Sequence, residues 1–337
     1  MAFLYEYGLF LAKAVTLVAA LGAVIAMIVA ASHKPSSQSG EIELTDISKR
    51  LDEAKEQFLA QTLDKKALKA HQKQQKKAQS DQADEDKKRV FVVEFSGSMD
   101  AHEVENLREE VTAILTIADA KQDQVVVNLE SGGGVVHGYG LAASQLQRIK
   151  DAGLPLTVCV DKVAASGGYM MACVADKIIA APFAIVGSIG VIAQLPNFNK
   201  LLKKNDIDYE QITAGEYKRT LTLFGENTDK GREKFREEIE HTHGLFKRFV
   251  SDNRPNMDID KVATGEHWLA THAHEFALVD EIRTSDDLLL DLNQAYQLYQ
   301  VRYKLKKSMA EKLGIGVSLS LEKGAMRLFS KWQKSSY

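Results

Sequence analysis

The sequence predicts an α/β domain built on a buried, largely parallel sheet, preceded by a membrane-spanning helix and a charged stretch. Three observations carry that expectation. Apolar runs at Val90–Phe95, Gln124–Leu129 and Pro155–Val160 alternate with segments of helical period. Strand–helix alternation of this kind favours a parallel sheet. Those runs are apolar on successive residues, as strands covered on both faces are. Finally, an uncharged run from Ala14 to Ala31 precedes everything else. The chain has 337 residues, of which 45% are hydrophobic, so the part beyond Arg89 is ample for one core.

At the N-terminus, Gly8–Ala31 is long enough to cross a bilayer core, which needs about 20 apolar helical residues. It does so with Lys13 reaching towards an interface. A cleaved signal peptide is the competing reading, with Val29-Ala-Ala31 as the small-residue cleavage site. The apolar run is longer than an ordinary signal core and its N-terminal flank lacks Lys or Arg before Lys13, which favours a retained anchor. Lys34, Lys49 and Arg50 follow the span. Counted alone they would hold the following domain in the cytoplasm, although long domains translocate despite their charge.

Residues 41–89 are dominated by Lys, Gln, Asp and Glu, and Leu51, Ala54, Phe58 and Leu63 give only a thin helical stripe. A solvated helix or linker fits this composition. The basic run His71–Lys77 has no aromatic residues for base stacking, and the net charge of −3 does not suit a nucleic-acid binder. After the strand Val90–Phe95, Asp100 and Glu103 read as a capping box. Val104, Leu107, Val111, Ile114 and Leu115 then fall on one helical face. The second strand leads to a helix carrying Leu141, Leu146 and Ile149. Further on, 227–253 reads as an amphipathic helix with Ile239, Leu245, Phe246 and Phe249, its apolar face serving the core or a subunit interface.

Chemistry is concentrated in three places. The strand 155–160 feeds through a short turn into Lys162-Val-Ala-Ala-Ser166-Gly-Gly-Tyr, which holds a hydroxyl at a helix start, where free N–H groups favour negative charge. Serine is also an ordinary N-cap. Glu130-Ser131-Gly132-Gly133-Gly134 follows a strand, and its backbone N–H groups suit either an oxyanion hole or a plain strand-to-helix turn. The third place is Ala214-Gly-Glu-Tyr-Lys218. A lone lysine is normally a solvated charge. With no histidine in a triad context and no G-x-S-x-G elbow, a Ser-Lys pair is the natural candidate if Ser166 is activated. No histidine–cysteine cluster has metal-ligand spacing. Cys159 and Cys173 read as buried small hydrophobes.

Taken in order, Ser131-Gly-Gly-Gly, Ala165-Ser-Gly-Gly-Tyr169, Val186-Gly-Ser-Ile-Gly-Val191, Gly215-Glu-Tyr-Lys218, Ala263-Thr-Gly-Glu-His-Trp268 and Ala277-Leu-Val-Asp-Glu281 resemble the SppA/SohB family of membrane-bound serine peptidases. The anchor and charged segment resemble its SohB branch. The resemblance implies a spiral of ββα units shared with ClpP and crotonase relatives. It implies an anchor at 1–34, a charged helical or disordered linker at 35–88, a peptidase domain at 89–305 and an amphipathic tail at 306–337. It makes Ser166 the nucleophile, Lys218 the general base and Ser188 a residue that orients the lysine amine. The oxyanion donors become the N–H groups of Gly167 and Gly133, with Gly134 as the fallback. Two departures stand out: Gly132 occupies a position usually held by proline, and Ala277 one usually held by glycine. Without that fixed φ the loop is less rigid.

A lysine that serves as a base must be neutral, and at the reference value of about 10.4 almost none is neutral near pH 7. The site must therefore desolvate the amine or set a cation beside it, so Lys218 is expected among apolar side chains and away from carboxylates. The resemblance further implies no metal or cofactor, peptide or membrane-protein-fragment substrates, a lipid bilayer as a partner, no nucleic acid, a homo-oligomeric ring and a periplasmic catalytic domain at the bacterial inner membrane. Two other classes stay open on sequence: a non-catalytic module that binds membrane proteins, and a crotonase-type acyl-CoA enzyme.

Overall fold

The computed structural model describes residues 2–32, 40–71, 73 and 88–305. The tail 306–337 and the charged residues 74–87 lie outside them. Two units are distinct and are described separately. In the first, helix α1 (Ala2–Ser32) runs for 31 residues, and its Tyr5–Gly22 window is apolar enough to cross a membrane by length and composition. At 1.5 Å per residue it exceeds the thickness of a bilayer core, about 30 Å.

The second unit, Ile42–Tyr303, is an α/β spiral. Its elements in order are β1 (Glu41–Asp46), α2 (Ile47–Thr62), β2 (Arg89–Gly97), α3 (Val104–Ile117), β3 (Gln124–Ser131), α4 (Val136–Asp151), β4 (Leu156–Val160), β5 (Val163–Ala165), α5 (Gly167–Ala172), β6 (Lys177–Ala180) and β7 (Ile185–Gly187). They continue as α6 (Asn199–Lys204), α7 (Asp229–Asn253), α8 (Ile259–Val262), β8 (His267–Leu269), α9 (Ala270–Glu275), β9 (Glu281–Ile282), α10 (Ser285–Leu292) and β10 (Gln297–Lys304). The main sheet has the order β1-β10-β2-β3-β4-β6-β9. From β10 through to β9 every neighbouring pair is parallel. A short second ladder, β5-β7-β8, branches from β3 where Ser131 pairs with Ala164. Thus β4 and β6 of the main sheet are each followed by a short strand of the second ladder, which is the ββα spiral.

Burial on both faces explains the continuous apolar strands. Phe91, Val93, Val125, Val127 and Val158 point into the larger core with α3, α4 and α5. Val90, Val92, Val126 and Cys159 point the other way, against Ile47, Ile179 and Leu298. Cys159 and Cys173 are buried, unpaired and in different clusters, and burial pushes each thiol up to about 12.

Two sequence expectations need correction. Within the charged stretch 35–88, residues 42–48 are part of the folded unit, because β1 extends the sheet beside β10 and α2 seats Ile47 in the smaller core. Polar bonds fix that junction: Asp46 accepts from Lys49 N–H (2.8 Å) and Gln297 Nε2 (2.8 Å), and Ser48 Oγ accepts from Leu298 N–H (2.9 Å). Too few apolar residues lie in 41–51 for sequence periodicity to report this. Second, Asp100 does not cap α3, which starts at Val104. Glu103 instead accepts from Ser98, whose N–H and hydroxyl both donate to Glu103 Oε2 (3.0 and 2.9 Å). On α4, Leu146 and Ile149 are fully buried and Leu141 is exposed.

The segment Ala277–Glu281 locks α5, the helix that follows Ser166, to the sheet. Tyr169, on α5, donates its O–H to Leu278 O (2.9 Å). Asp280 accepts from Ile178 N–H (2.7 Å) and from both terminal nitrogens of Arg254, just past α7 (2.9 and 2.6 Å). Burial opposes ionisation of Asp280, but the bonds from Arg254 and Ile178 outweigh it and hold the carboxyl below its usual range. The depressed value means that this stabilisation is present above the unfolded-state carboxylate value, and is lost as pH falls through the folded one. Asp280→Asn is expected to lower stability by about 2 kcal/mol at pH 7, with the gap to the parent closing below about pH 4. Denaturant unfolding of the detergent-solubilised chain at both pH values measures it.

Candidate active site

Ser166 sits at the corner between β5 and α5. Its backbone is left-handed, with φ 51° and ψ −116°, a conformation that costs a non-glycine residue about 1–3 kcal/mol. The surrounding ladder holds it there: Ala165 pairs with Gly187, and Ser166 N–H bonds Gly187 O at 2.8 Å. The sharp turn leaves Ser166 half-buried while the helix behind it is buried.

The second ladder also explains how motifs far apart in sequence converge. Pairing of Ser131 with Ala164 delivers the glycine loop to Ser166. Pairing of Ala165 with Gly187 delivers Ser188. Gly133 has φ +87°, and a Cβ there would lie 2.7 Å from Ala165 O, Gly167 N and Ser166 Cβ. Only glycine allows that approach. The Gly133 N–H donates to Ser131 Oγ (3.0 Å), whereas the amides of Gly134 and Gly167 have no hydrogen-bond partner among the described residues. Ser188 also has positive φ, 52°, and its N–H bonds Glu266 O at 2.6 Å, tying it to the turn before β8. At Gly168 a Cβ would come 2.5 Å from Ser131 O, a backbone atom that cannot swing away. Gly168→Ala is therefore expected to pry the two loops apart, lowering stability by about 2–3 kcal/mol. Thermal unfolding of the variant checks this.

Ser166 faces two cavities of about 540 Å³ each. One is mainly apolar, walled by Val136, Met170, Ile192, Leu245, Phe246 and Phe249, so the amphipathic face of α7 supplies one wall. The other contains Gly132, Gly133, Gly134, Ser188, His243 and Thr264. His243 bonds Ile189 O through Nε2 at 3.1 Å. Ser166, Ser188, Gly133, Gly134 and Gly167 are thus brought together.

Lys218 is not among them. It lies on an exposed loop and lines a separate cavity of about 750 Å³ with Leu195, Tyr209, Ile212, Leu221 and Phe224. It has no ion pair among the described residues, as a free amine requires, but it is exposed and none of the described residues covers it. Ile212 beside it is 95% exposed. The expected apolar burial of Lys218 is therefore not met among the described residues. Arg219, its sequence neighbour, is exposed as well.

Sequence reading missed Tyr139, which is fully buried beneath the Ser166–Gly167 turn, and the hydrogen bond between the hydroxyls of Ser131 and Tyr139. The signal was present: Tyr139 is a lone aromatic among the small residues 137–144, where its ring and hydroxyl needed a purpose.

Two family models divide most of the chain between them: "Peptidase family S49 N-terminal" matches residues 2–146 and "Peptidase family S49" matches 148–299. A Haemophilus influenzae protein named "Probable protease SohB" is 49% identical over 322 residues, covering 91% of each chain. A protein of the same name from Buchnera aphidicola subsp. Schlechtendalia chinensis is 46% identical over 304 residues, covering 86% of this chain and 99% of its own. Among solved structures, a membrane-bound stomatin-specific protease in complex with a substrate peptide is 13% identical, with a TM-score of 0.42 over 68% of this chain and 97% of its own.

Proposed function

The chain belongs to peptidase family S49, the SppA/SohB family, and on that premise we propose that it is a membrane-anchored serine endopeptidase with a Ser166–Lys218 dyad. The observation that carries this reading is Ser166 itself, a strained, half-buried hydroxyl at a strand–helix corner beside the amide of Gly167 and an apolar cavity.

In this reading Ser166 Oγ attacks a peptide carbonyl and Lys218 takes its proton. The Ser166–substrate bond forms as the carbonyl oxygen becomes an oxyanion, which the N–H groups of Gly167 and Gly133 receive. Gly133 shares its N–H with Ser131 Oγ, and the Gly134 N–H is the next donor along the loop. Collapse of the intermediate expels the amine, which Lys218 protonates. Water then repeats the sequence on the acyl-enzyme. Ser188 faces the same cavity as Ser166, where it would orient an incoming amine. The apolar walls suit short or unfolded segments with apolar side chains, including membrane-derived fragments. Because Lys218 lies on an exposed loop away from both Ser166 cavities, it is proposed to act on a neighbouring subunit of a homo-oligomeric ring. Docking there would supply the desolvation that a lysine base requires.

The domain organisation proposed is an N-terminal anchor through α1, a peptidase domain facing the periplasm of a bacterial inner membrane, and a tail from 306. No metal or cofactor enters the chemistry. The test is hydrolysis of apolar peptides by the detergent-solubilised chain, together with labelling by a fluorophosphonate. Turnover with the label on Ser166 supports the reading; a folded, assembled chain that neither hydrolyses peptides nor takes the label overturns it in favour of a binding module.

A further inference from the structure

We infer that Tyr139 and Ser131 are positioning residues that set the oxyanion loop against the nucleophile turn; the inference rests on the peptidase reading above. A directed chain of hydrogen bonds starts at the loop. Gly133 N–H donates to Ser131 Oγ (3.0 Å), Ser131 Oγ and Tyr139 Oη are bonded to each other, and Tyr139 O–H donates to Ser98 O (2.8 Å). Because the tyrosine proton goes to Ser98 O, the serine proton goes to Tyr139 Oη, and a serine lone pair is left for Gly133. Gly133 N–H, Ser131 Oγ and Tyr139 Oη then each have a partner.

The same tyrosine supports the other half of the hole. Its ring lies directly beneath Gly167, so close that a Cβ there would meet Tyr139 Cγ at 2.4 Å. Tyr139 is 0% and Ser131 2% exposed, and Phe95 packs edge-on against the tyrosine ring, 6.5 Å between centroids. One side chain therefore touches Gly167 through its ring and Gly133 through its hydroxyl and Ser131. Those two glycines come from strands of different ladders, and the spacing of their amides decides whether one oxygen can meet both. Gly132 makes the arrangement matter more, since the loop has no proline ring to hold its backbone. The hydroxyl chain supplies the restraint instead.

Tyr139→Phe separates the two contacts, since it keeps the ring under Gly167 and removes the hydroxyl. A donor misplaced by a fraction of an ångström loses much of its transition-state stabilisation. The expected result is a fall in kcat of about 30-fold with KM within about twofold. Affinity for a peptide aldehyde, which forms a tetrahedral adduct on Ser166, should fall by the same factor. Binding of an uncleaved peptide to the Ser166→Ala chain should be unchanged when Tyr139→Phe is added. Ser131→Ala breaks the same chain and should reproduce the pattern, carrying the test should Tyr139→Phe lower the folded fraction. A purely structural role predicts lower thermal stability with kcat per folded molecule intact, and that outcome overturns the inference. So does full activity in both variants while Ser166→Ala is inactive, which leaves the peptidase reading standing. A parent with no Ser166-dependent turnover overturns the peptidase reading, and the inference with it.

Discussion

Replacing Ser166 by alanine is expected to lower peptide hydrolysis by about ten-thousandfold or more while leaving folding and assembly intact. The size follows from the proposed role: without the hydroxyl no acyl-enzyme would form, and only binding and the proposed oxyanion donors would remain to act on water. Retained stability follows from the geometry. Alanine keeps the Cβ and the left-handed backbone of Ser166, whose fixed bond is made by the N–H to Gly187 O and not by the side chain. Glycine at 166 relieves the positive φ and should stabilise the chain by about 1 kcal/mol while being equally inactive. A stable, silent Gly variant would place the strain at the nucleophile, where it presents the hydroxyl at a cost to the fold. Peptide turnover and thermal midpoints for the parent and both variants measure this. Turnover surviving in a folded Ser166→Ala chain would mean that another group is the nucleophile.

Lys218→Ala should be nearly as damaging, about a thousandfold, because without a base the serine proton has no acceptor. Its position makes a sharper test available. Lys218 is exposed and shares neither cavity with Ser166, so the proposed dyad is formed across a subunit boundary. Chains carrying Ser166→Ala and chains carrying Lys218→Ala would then complement one another when co-expressed. In a head-to-tail ring, each contact joins the serine of one subunit to the lysine of the next. Random mixing leaves about a quarter of such contacts with both groups intact, so about a quarter of parental turnover should return. A dyad within one chain predicts none. Persistent silence in assembled mixed rings would therefore require the 205–228 loop to fold back over Ser166 in its own subunit.

The same contrast between Ser166 and Lys218 separates what was legible in the sequence from what was not. The buried strands were visible because two-sided burial leaves an unbroken apolar run, and Val90 to Val93 do point alternately into two cores. The N-terminal helix was visible for the same kind of reason, since length and apolarity are local properties. Ser166 and the glycine triplet were visible as motifs. Their convergence was not, because it depends on Ser131 pairing with Ala164 and Ala165 with Gly187 in a second ladder of three-residue strands, too short to carry a periodicity. The junction at Asp46–Ser48 was hidden for a similar reason: its stability comes from polar bonds to a strand some 250 residues away.

By itself, then, the sequence determined what is encoded in neighbouring residues: an apolar helix long enough to span a membrane, a two-sided parallel sheet, and a set of motifs that identifies the family. Tertiary structure alone decided which amide is already bonded, which tyrosine lies under Gly167 while bonding Ser131, and that Lys218 is exposed among the described residues. The physical reason is range. Hydropathy and turn chemistry act over a few residues and leave a trace in their order. Hydrogen-bond satisfaction and burial are settled by whichever distant atoms arrive, and those are specified only once the chain has folded.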